Sequence, residues 1–175
     1  GSSNGVLHLQ AIAAERGIEL GPDTFNRLNR DTNLICDIAP SGAHFMAELD
    51  QAGGIQAVMK ELEPLLDCEV MTVSGKTLRD NLNGVRVRDR AIVRPLDDPI
   101  AAGGGLLFLR GSLAPEGGLV KTSAVPPAMH RHRGPARIFA REEDACSALE
   151  SGDLAAGDVV VVRYAGPKGD PGMRL

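Results

Sequence analysis

The hydrophobic periodicity of this chain changes near its middle, and this change constrains the fold more than any other feature of the sequence. In the first half, apolar residues recur every three or four positions, which is typical of amphipathic helices. In the second half, short apolar runs alternate with turns that contain glycine and proline, which is typical of strands. A helix-rich half followed by a strand-rich half favours two structural units over one continuous core.

Start and stop signals place the individual elements. Pro22 stands at a first-turn position, Pro64 closes a later helix, and Thr77 to Asp80 has the capping pattern that opens a helix. These signals predict helices over residues 6–16, 22–31, 45–49, 55–62, 77–82 and 142–150, the last burying Ala145, Cys146 and Leu149. Apolar runs predict strands or extended segments over residues 34–38, 70–73, 106–109, 119–122, 137–139 and 159–162.

A charged, irregular stretch separates the two halves. Residues 83–98 carry four arginines and three aspartates, with no clear periodicity. We therefore predict an α/β protein with one domain over residues 1–82, a linker over residues 83–98 and a second domain over residues 99–175.

Composition narrows the function classes. The formal net charge is -4 and only 3% of residues are aromatic, so neither electrostatic attraction nor base stacking favours nucleic acid. No apolar run approaches the roughly 20 residues that a membrane helix needs. Cys36, Cys68 and Cys146 are widely spaced, which suggests neither a disulfide framework nor a thiolate metal site. We expect a cytoplasmic protein that binds neither nucleic acid nor membrane.

Short chemical motifs do not by themselves reveal a catalytic centre. Gly75-Lys76-Thr77 ends like a phosphate-binding loop, but Val70 stands where the motif needs its first glycine. His130 and His132 alternate as strand ligands could, yet the flanking arginines favour an exposed basic loop. For the loop over residues 166–172, rich in glycine and proline, two interpretations stay open: a backbone that folds around an anionic ligand, or a rigid turn.

Motifs found in order along almost the whole chain resemble those of the dihydroxy-acid dehydratase and 6-phosphogluconate dehydratase family, most closely the dihydroxy-acid branch. In the first half they are Gly1-Ser2-Ser3-Asn4, Val6-Leu7-His8-Leu9, Pro40-Ser41-Gly42, Ala52-Gly53-Gly54-Ile55 and Val73-Ser74-Gly75-Lys76-Thr77-Leu78. In the second half they are Leu113-Ala114-Pro115-Glu116-Gly117, Val120-Lys121, Gly134-Pro135-Ala136, Gly157-Asp158-Val159-Val160-Val161-Val162-Arg163-Tyr164 and Gly166-Pro167-Lys168-Gly169.

The resemblance implies that the chain is an internal segment of a longer enzyme. Its first part would end a larger N-terminal α/β domain, and its last part would begin a C-terminal β-barrel-like domain of the swivelling β/β/α type. The family removes water from 2,3-dihydroxy acids to give 2-oxo acids, in this branch 2,3-dihydroxy-3-methyl acids of valine and isoleucine biosynthesis. A homodimer or higher homo-oligomer is implied for the whole enzyme.

The resemblance also implies where the chemistry resides. An iron-sulfur cluster, 2Fe-2S or 4Fe-4S, and Mg²⁺ assist the family's reaction, and a serine removes the C2 proton. Those ligands and the serine lie outside this chain, so it contains no catalytic residue and the three cysteines are not ligands. Ser3, Asn4, His8 and Lys168 would support the substrate side. The family usually has a metal-binding glutamate at the position of Leu175, so this ligand too is replaced.

Two alternatives remain open. His132-Arg133-Gly134 is similar to the sugar-acid dehydratases, which act on 6-phosphogluconate, xylonate or arabinonate. From another class, the chain could be a non-catalytic scaffold module that associates with a full-length relative. On the first interpretation, this chain alone is expected to be inactive and to bind no cluster.

Overall fold

A computed structural model describes residues 2–165. These residues form two compact units that divide between Val125 and Pro126. Helices, short strands and irregular segments alternate, so the coarse prediction of a mixed α/β protein is confirmed. Among the helices of the described residues, none combines the length and the hydropathy needed to cross a bilayer.

The first unit contains five helices and one hairpin. Its helices are α1 (Ser3–Glu15), α2 (Pro22–Asp31), α3 (Met46–Gln51), α4 (Gly54–Glu61), followed by a 3₁₀ turn over Glu63–Leu65, and α5 (Leu78–Leu82). Strands β1 (Leu107–Leu109) and β2 (Gly118–Val120) pair antiparallel, with Phe108 opposite Leu119. A further 3₁₀ turn, Thr122–Ala124, follows β2. All five helices lie where the sequence predicts them, with limits that differ by a few residues.

The core of the first unit combines helix residues with irregular backbone. Ile35, Leu49, Ala52, Ile92 and Val93 form one buried cluster, and Val93 is fully buried. Two of these residues belong to the segment 83–98, which contains no helix or strand. The segment expected to be a linker is therefore irregular, but it packs into this core. The domain limits 1–82, 83–98 and 99–175 stay a prediction.

The strand predicted over residues 70–73 is wrong. Met71 makes only one isolated bridge, to Thr77, and the residues between them form a tight loop. The Thr72 amide donates to the Lys76 carbonyl oxygen at 2.9 Å, and Val73 at the loop's tip is fully exposed. Residues 70–73 therefore pair only with the residues that follow them in the same loop, and among the described residues no separate strand lies beside them, which the apolar pattern could not indicate.

Helix α2 holds the hairpin through side-chain amides. The Asn26 amide nitrogen donates to the Phe108 carbonyl oxygen at 3.0 Å, and its oxygen accepts from the Phe108 amide at 2.8 Å. One turn later, the Asn29 side-chain oxygen accepts from the Leu106 amide at 3.1 Å. The Phe25 and Phe108 rings lie 5.6 Å apart. Two asparagines thus satisfy backbone groups of β1 as a neighbouring strand would.

The second unit is built on a parallel strand pair. A 3₁₀ turn over Pro127–Met129 precedes β3 (Ala136–Phe139), which pairs with β4 (Val159–Val162) so that Ala136 lies opposite Val159. Helix α6 (Glu142–Glu150) connects the two strands, which parallel pairing requires. Ala145 on α6 is buried as predicted. The prediction of a buried Cys146 and Leu149 is wrong: both are exposed, so the helix buries a narrower stripe than its apolar spacing indicated.

Gly134 permits a close approach of two loops in the second unit. A Cβ atom at Gly134 would lie 1.9 Å from the Gly157 carbonyl oxygen. The same oxygen forms a hydrogen bond with the His132 Nε2 atom at 2.9 Å. Only a residue without a side chain can occupy position 134 unless the backbone shifts.

Gly134→Ala should therefore destabilise the second unit by about 1 to 3 kcal/mol, the usual cost of inserting a methyl group into packed structure. Gly111→Ala is the matched control, because a Cβ there has no atom within 4 Å. Urea unfolding followed by the fluorescence of Tyr164, the chain's one tyrosine and a residue of the second unit, measures the difference. Equal midpoints for the two variants would contradict this packing.

Thr77 caps helix α5. Its Oγ1 atom accepts from the Asp80 amide at 3.1 Å, while the Asp80 carboxylate accepts from the Thr77 amide at 3.2 Å. Thr77→Ala should lower the free energy of unfolding by about 1 kcal/mol. Thr77→Ser keeps the hydroxyl and should recover most of the loss, and thermal unfolding followed by circular dichroism compares the two variants.

Candidate functional site

The first turns of α1 carry three of the side chains predicted to support a substrate. Ser3 is the first residue of the helix and is exposed; Asn4 is half-buried, and His8 is exposed. Asn4 and His8 are four residues apart, so they share one face of the helix. The other two positions singled out by the sequence, Lys168 and Leu175, lie outside the described residues.

Helix α1 packs against the rest of the first unit through the side opposite Asn4 and His8, so the face that carries these two residues stays accessible. Val6 is buried, and the Gln10 amide nitrogen donates to the Leu20 carbonyl oxygen at 3.0 Å. Across the described residues, no hydrogen bond is formed by the side chains of Ser3, Asn4 or His8. A hydroxyl, an amide and an imidazole at a helix N-terminus can donate to a carboxylate or to alcohol oxygens. This face is the candidate functional site.

The cysteines do not form a second candidate site. Cys36 is half-buried, and burial followed by the neighbouring Asp37 charge raises the pKa of its thiol to about 11. Cys68 is buried and its Sγ atom lies 3.8 Å from the Glu63 carbonyl oxygen, whereas Cys146 is exposed in the other unit. Metal ligation needs the thiolate, which a raised pKa disfavours.

Metal-binding geometry is likewise missing from the part of the chain that the structure describes. Between residues 2 and 165, no three side chains of the histidine, cysteine, aspartate or glutamate type lie close enough together to hold a metal ion. His130 and His132 are both exposed, and His132 forms a hydrogen bond with the Gly157 carbonyl oxygen. The described residues therefore do not fit an iron-sulfur cluster or Mg²⁺.

The His44 imidazole lies between the carboxylates of Asp37 and Glu48, an arrangement that the sequence did not predict. His44 Nδ1 lies 3.4 Å from Glu48 Oε1, and His44 Nε2 lies 3.9 Å from Asp37 Oδ1. The loop between them is tight, since a Cβ atom at Gly42 would lie 2.1 Å from the Asp37 carbonyl carbon. Only the i, i+4 spacing of His44 and Glu48 could have indicated part of this cluster.

The cluster has a structural task. Glu48 Oε2 accepts from the Phe45 amide at 2.7 Å, which satisfies a free donor where α3 begins. The Asp37 carboxylate accepts from the Ala43 amide at 3.3 Å. The hydrogen bond from Phe45, aided by His44, lowers the pKa of the Glu48 carboxyl. Asp37, His44 and Glu48 therefore brace the entry to α3.

Comparison with known proteins identifies the family. The N-terminal sequence profile of the dihydroxy-acid/6-phosphogluconate dehydratases matches residues 1–81, and their C-terminal profile matches residues 91–175. The chain belongs to the dihydroxy-acid/6-phosphogluconate dehydratase family. The resemblance in the sequence motifs is thereby confirmed, and the α1 face lies within the match to the N-terminal profile of this dehydratase family.

Curated relatives of this dehydratase family align with almost the whole chain. A dihydroxy-acid dehydratase of Moorella thermoacetica is 50% identical over 176 residues, which cover 99% of this chain and 32% of the relative. Enzymes of the same name from Ignicoccus hospitalis and Lachnoclostridium phytofermentans are each 49% identical and cover 99% of this chain. The chain thus spans about a third of the length of these relatives.

The lowered pKa of Glu48 predicts a pH-dependent contribution to stability. A carboxyl with a lower pKa in the folded state stabilises the fold above the pKa of the unfolded chain, and this gain disappears as the pH falls through the folded value. Glu48→Gln keeps an acceptor for the Phe45 amide but removes the charge. We expect it to lower the urea midpoint at pH 7 and to match the unchanged protein once the pH is below the lowered pKa of Glu48 in the folded state.

Glu150→Gln provides the control for this titration, since Glu150 is an exposed glutamate at the end of α6. Its urea midpoint should follow that of the unchanged chain at every pH. A constant difference between Glu48→Gln and the unchanged chain from pH 7 to pH 3 would contradict the electrostatic role of Glu48.

Proposed function

We propose that this chain is part of a hydro-lyase that removes water from a 2,3-dihydroxy acid and forms a 2-oxo acid. The observation that carries the proposal is the 50% identity to a dihydroxy-acid dehydratase over 99% of this chain. Identity of this extent over both family profiles supports retention of the family's chemistry by the whole protein. Its place would be the cytoplasm, and its assembly a homodimer or higher homo-oligomer.

The proposed substrate is a 2,3-dihydroxy-3-methyl acid of valine and isoleucine biosynthesis. The relatives, each named a dihydroxy-acid dehydratase, support this branch. Pro40-Ser41-Gly42 and Gly134-Pro135-Ala136 favour it as well. Sugar acids are the second candidate, favoured by His132-Arg133-Gly134, and a parallel assay with 6-phosphogluconate, xylonate or arabinonate distinguishes the two branches.

The proposed contribution of this chain is to hold and orient the substrate. Asn4 and His8 lie on one accessible face of α1 and offer an amide and an imidazole as hydrogen-bonding groups. A dihydroxy acid presents a carboxylate and two hydroxyls, which match such groups near a helix N-terminus. Iron-sulfur and Mg²⁺ chemistry belongs to the proposal only for the whole enzyme, because the described residues do not fit either group.

The role of α1 can be tested by kinetic assay of the protein that the longest reading frame containing this segment encodes. His8→Ala should lower kcat/KM for 2,3-dihydroxy-3-methylbutanoate by about tenfold or more, since a lost charge-assisted hydrogen bond has effects of this order. Glu15→Ala is the matched control, because Glu15 is an exposed residue of the same helix. Equal kcat/KM values for the two variants would remove His8 from the substrate-positioning role.

The 175-residue chain by itself should behave as scaffold. We expect purified chain, supplied with iron, sulfide and Mg²⁺, to show no visible absorption from a cluster and no release of 2-oxo acid. A brown protein that dehydrates a dihydroxy acid would overturn this expectation. If the longest reading frame also lacks activity on every dihydroxy acid, the non-catalytic scaffold module becomes the better proposal.

A further inference from the structure

The first unit contains a polar cavity that is separate from the α1 face. Its volume is about 460 Å³, within the range of about 300 to 1,000 Å³ that is usual for small-molecule sites. The lining includes the amide residues Gln56 and Asn83 and the cationic residues Arg86 and Arg88. It includes none of Ser3, Asn4 or His8, so the substrate-positioning proposal does not account for it.

Positive charge in this cavity is not neutralised by the described residues. Two other arginines of the same segment have acidic partners: Arg90 pairs with Glu61, and Arg94 pairs with Asp98. Within residues 2–165, neither the Arg86 nor the Arg88 guanidinium has an ion pair or a side-chain hydrogen bond. In a chain whose net charge is -4, two unpaired guanidiniums that line one cavity are selective for an anion.

The backbone that carries the two arginines is fixed in place. The Arg88 amide donates to the Ala52 carbonyl oxygen at 2.9 Å. Gly53, with φ at 116°, packs so closely that a Cβ atom there would lie 2.8 Å from the Arg86 carbonyl oxygen. Because both contacts are made by main-chain atoms, the wall is formed before any ligand arrives, which reduces the entropy cost of binding.

We propose that this cavity is a binding site for a small polyanion that carries phosphate or carboxylate groups. Arg86 and Arg88 supply the charge, because a guanidinium donates two parallel hydrogen bonds to either kind of oxyanion. Gln56 and Asn83 add neutral donors. The lining contains no acid, thiol or imidazole, so the site binds its ligand without reacting with it.

Isothermal titration of the 175-residue chain tests the proposal, with pyrophosphate and citrate as probes of the two oxyanion classes. Sodium chloride keeps the ionic strength constant, which removes unspecific screening effects. We expect saturable binding of at least one probe, weakened about tenfold or more in Arg86→Gln/Arg88→Gln. Arg131→Gln/Arg133→Gln is the matched control, since it removes two exposed charges at the same spacing and should bind as the unchanged chain does.

A second measurement keeps the test decisive if the double variant fails to fold. In ¹⁵N spectra of the unchanged chain, the amides of Gly53 and Gly84 should shift saturably with the probe, while those near residue 131 stay constant. Preference for pyrophosphate assigns a phosphate ligand, and preference for citrate assigns a carboxylate ligand. Absence of saturable binding by both probes, or equal loss of affinity in both double variants, would overturn the proposal.

Discussion

The first unit depends on backbone hydrogen bonds from a segment that has no secondary structure of its own. The Arg88 amide donates to the Ala52 carbonyl oxygen, and the Arg94 amide donates to the Ile35 carbonyl oxygen, each at 2.9 Å. Between these two anchors the chain inserts Ile92 and Val93 into the core. Irregular backbone can be buried only when its polar groups find partners, so these bonds make the packing of Val93 possible. The bond from Arg88 to Ala52 also fixes the wall of the polar cavity.

In the hairpin, side-chain amides supply the hydrogen-bond partners that backbone groups need. Asn26 exchanges two hydrogen bonds with Phe108, and Asn29 accepts from Leu106. A two-stranded hairpin alone is only marginally stable in water, so satisfying one edge of β1 from α2 gives it a third partner. Phe108 belongs to the match of the family's C-terminal profile, whereas Asn26 belongs to the N-terminal match. Matched segments from both profiles therefore share the first compact unit.

Local signals in the sequence were sufficient for the helices and for the strands that have partners. The capping residues at Thr77 and the proline at position 22 act within one turn, so their effect is visible without tertiary information. The exposure of Leu149 and the loop at Val73 depend on what packs against them, which apolar spacing does not contain. The same limit applies to candidate sites: the prediction for Ser3, Asn4 and His8 rests on a local motif, whereas the cavity joins Gln56 to Arg88 across the chain.

The side chains of the described residues are better suited to hydrogen bonding than to metal ligation. Burial raises the pKa of the Cys36 thiol to about 11, so this cysteine favours the neutral form that metals do not bind, and Cys68 is buried beside the Glu63 carbonyl oxygen. Carboxylates such as Glu48 are already engaged by backbone amides. Groups with free hydrogen-bonding capacity among the described residues are instead the hydroxyl, amide and imidazole of Ser3, Asn4 and His8 on α1 and the guanidiniums of Arg86 and Arg88 at the cavity. Such groups donate hydrogen bonds to oxyanions, so both surfaces favour anionic ligands over metal ions.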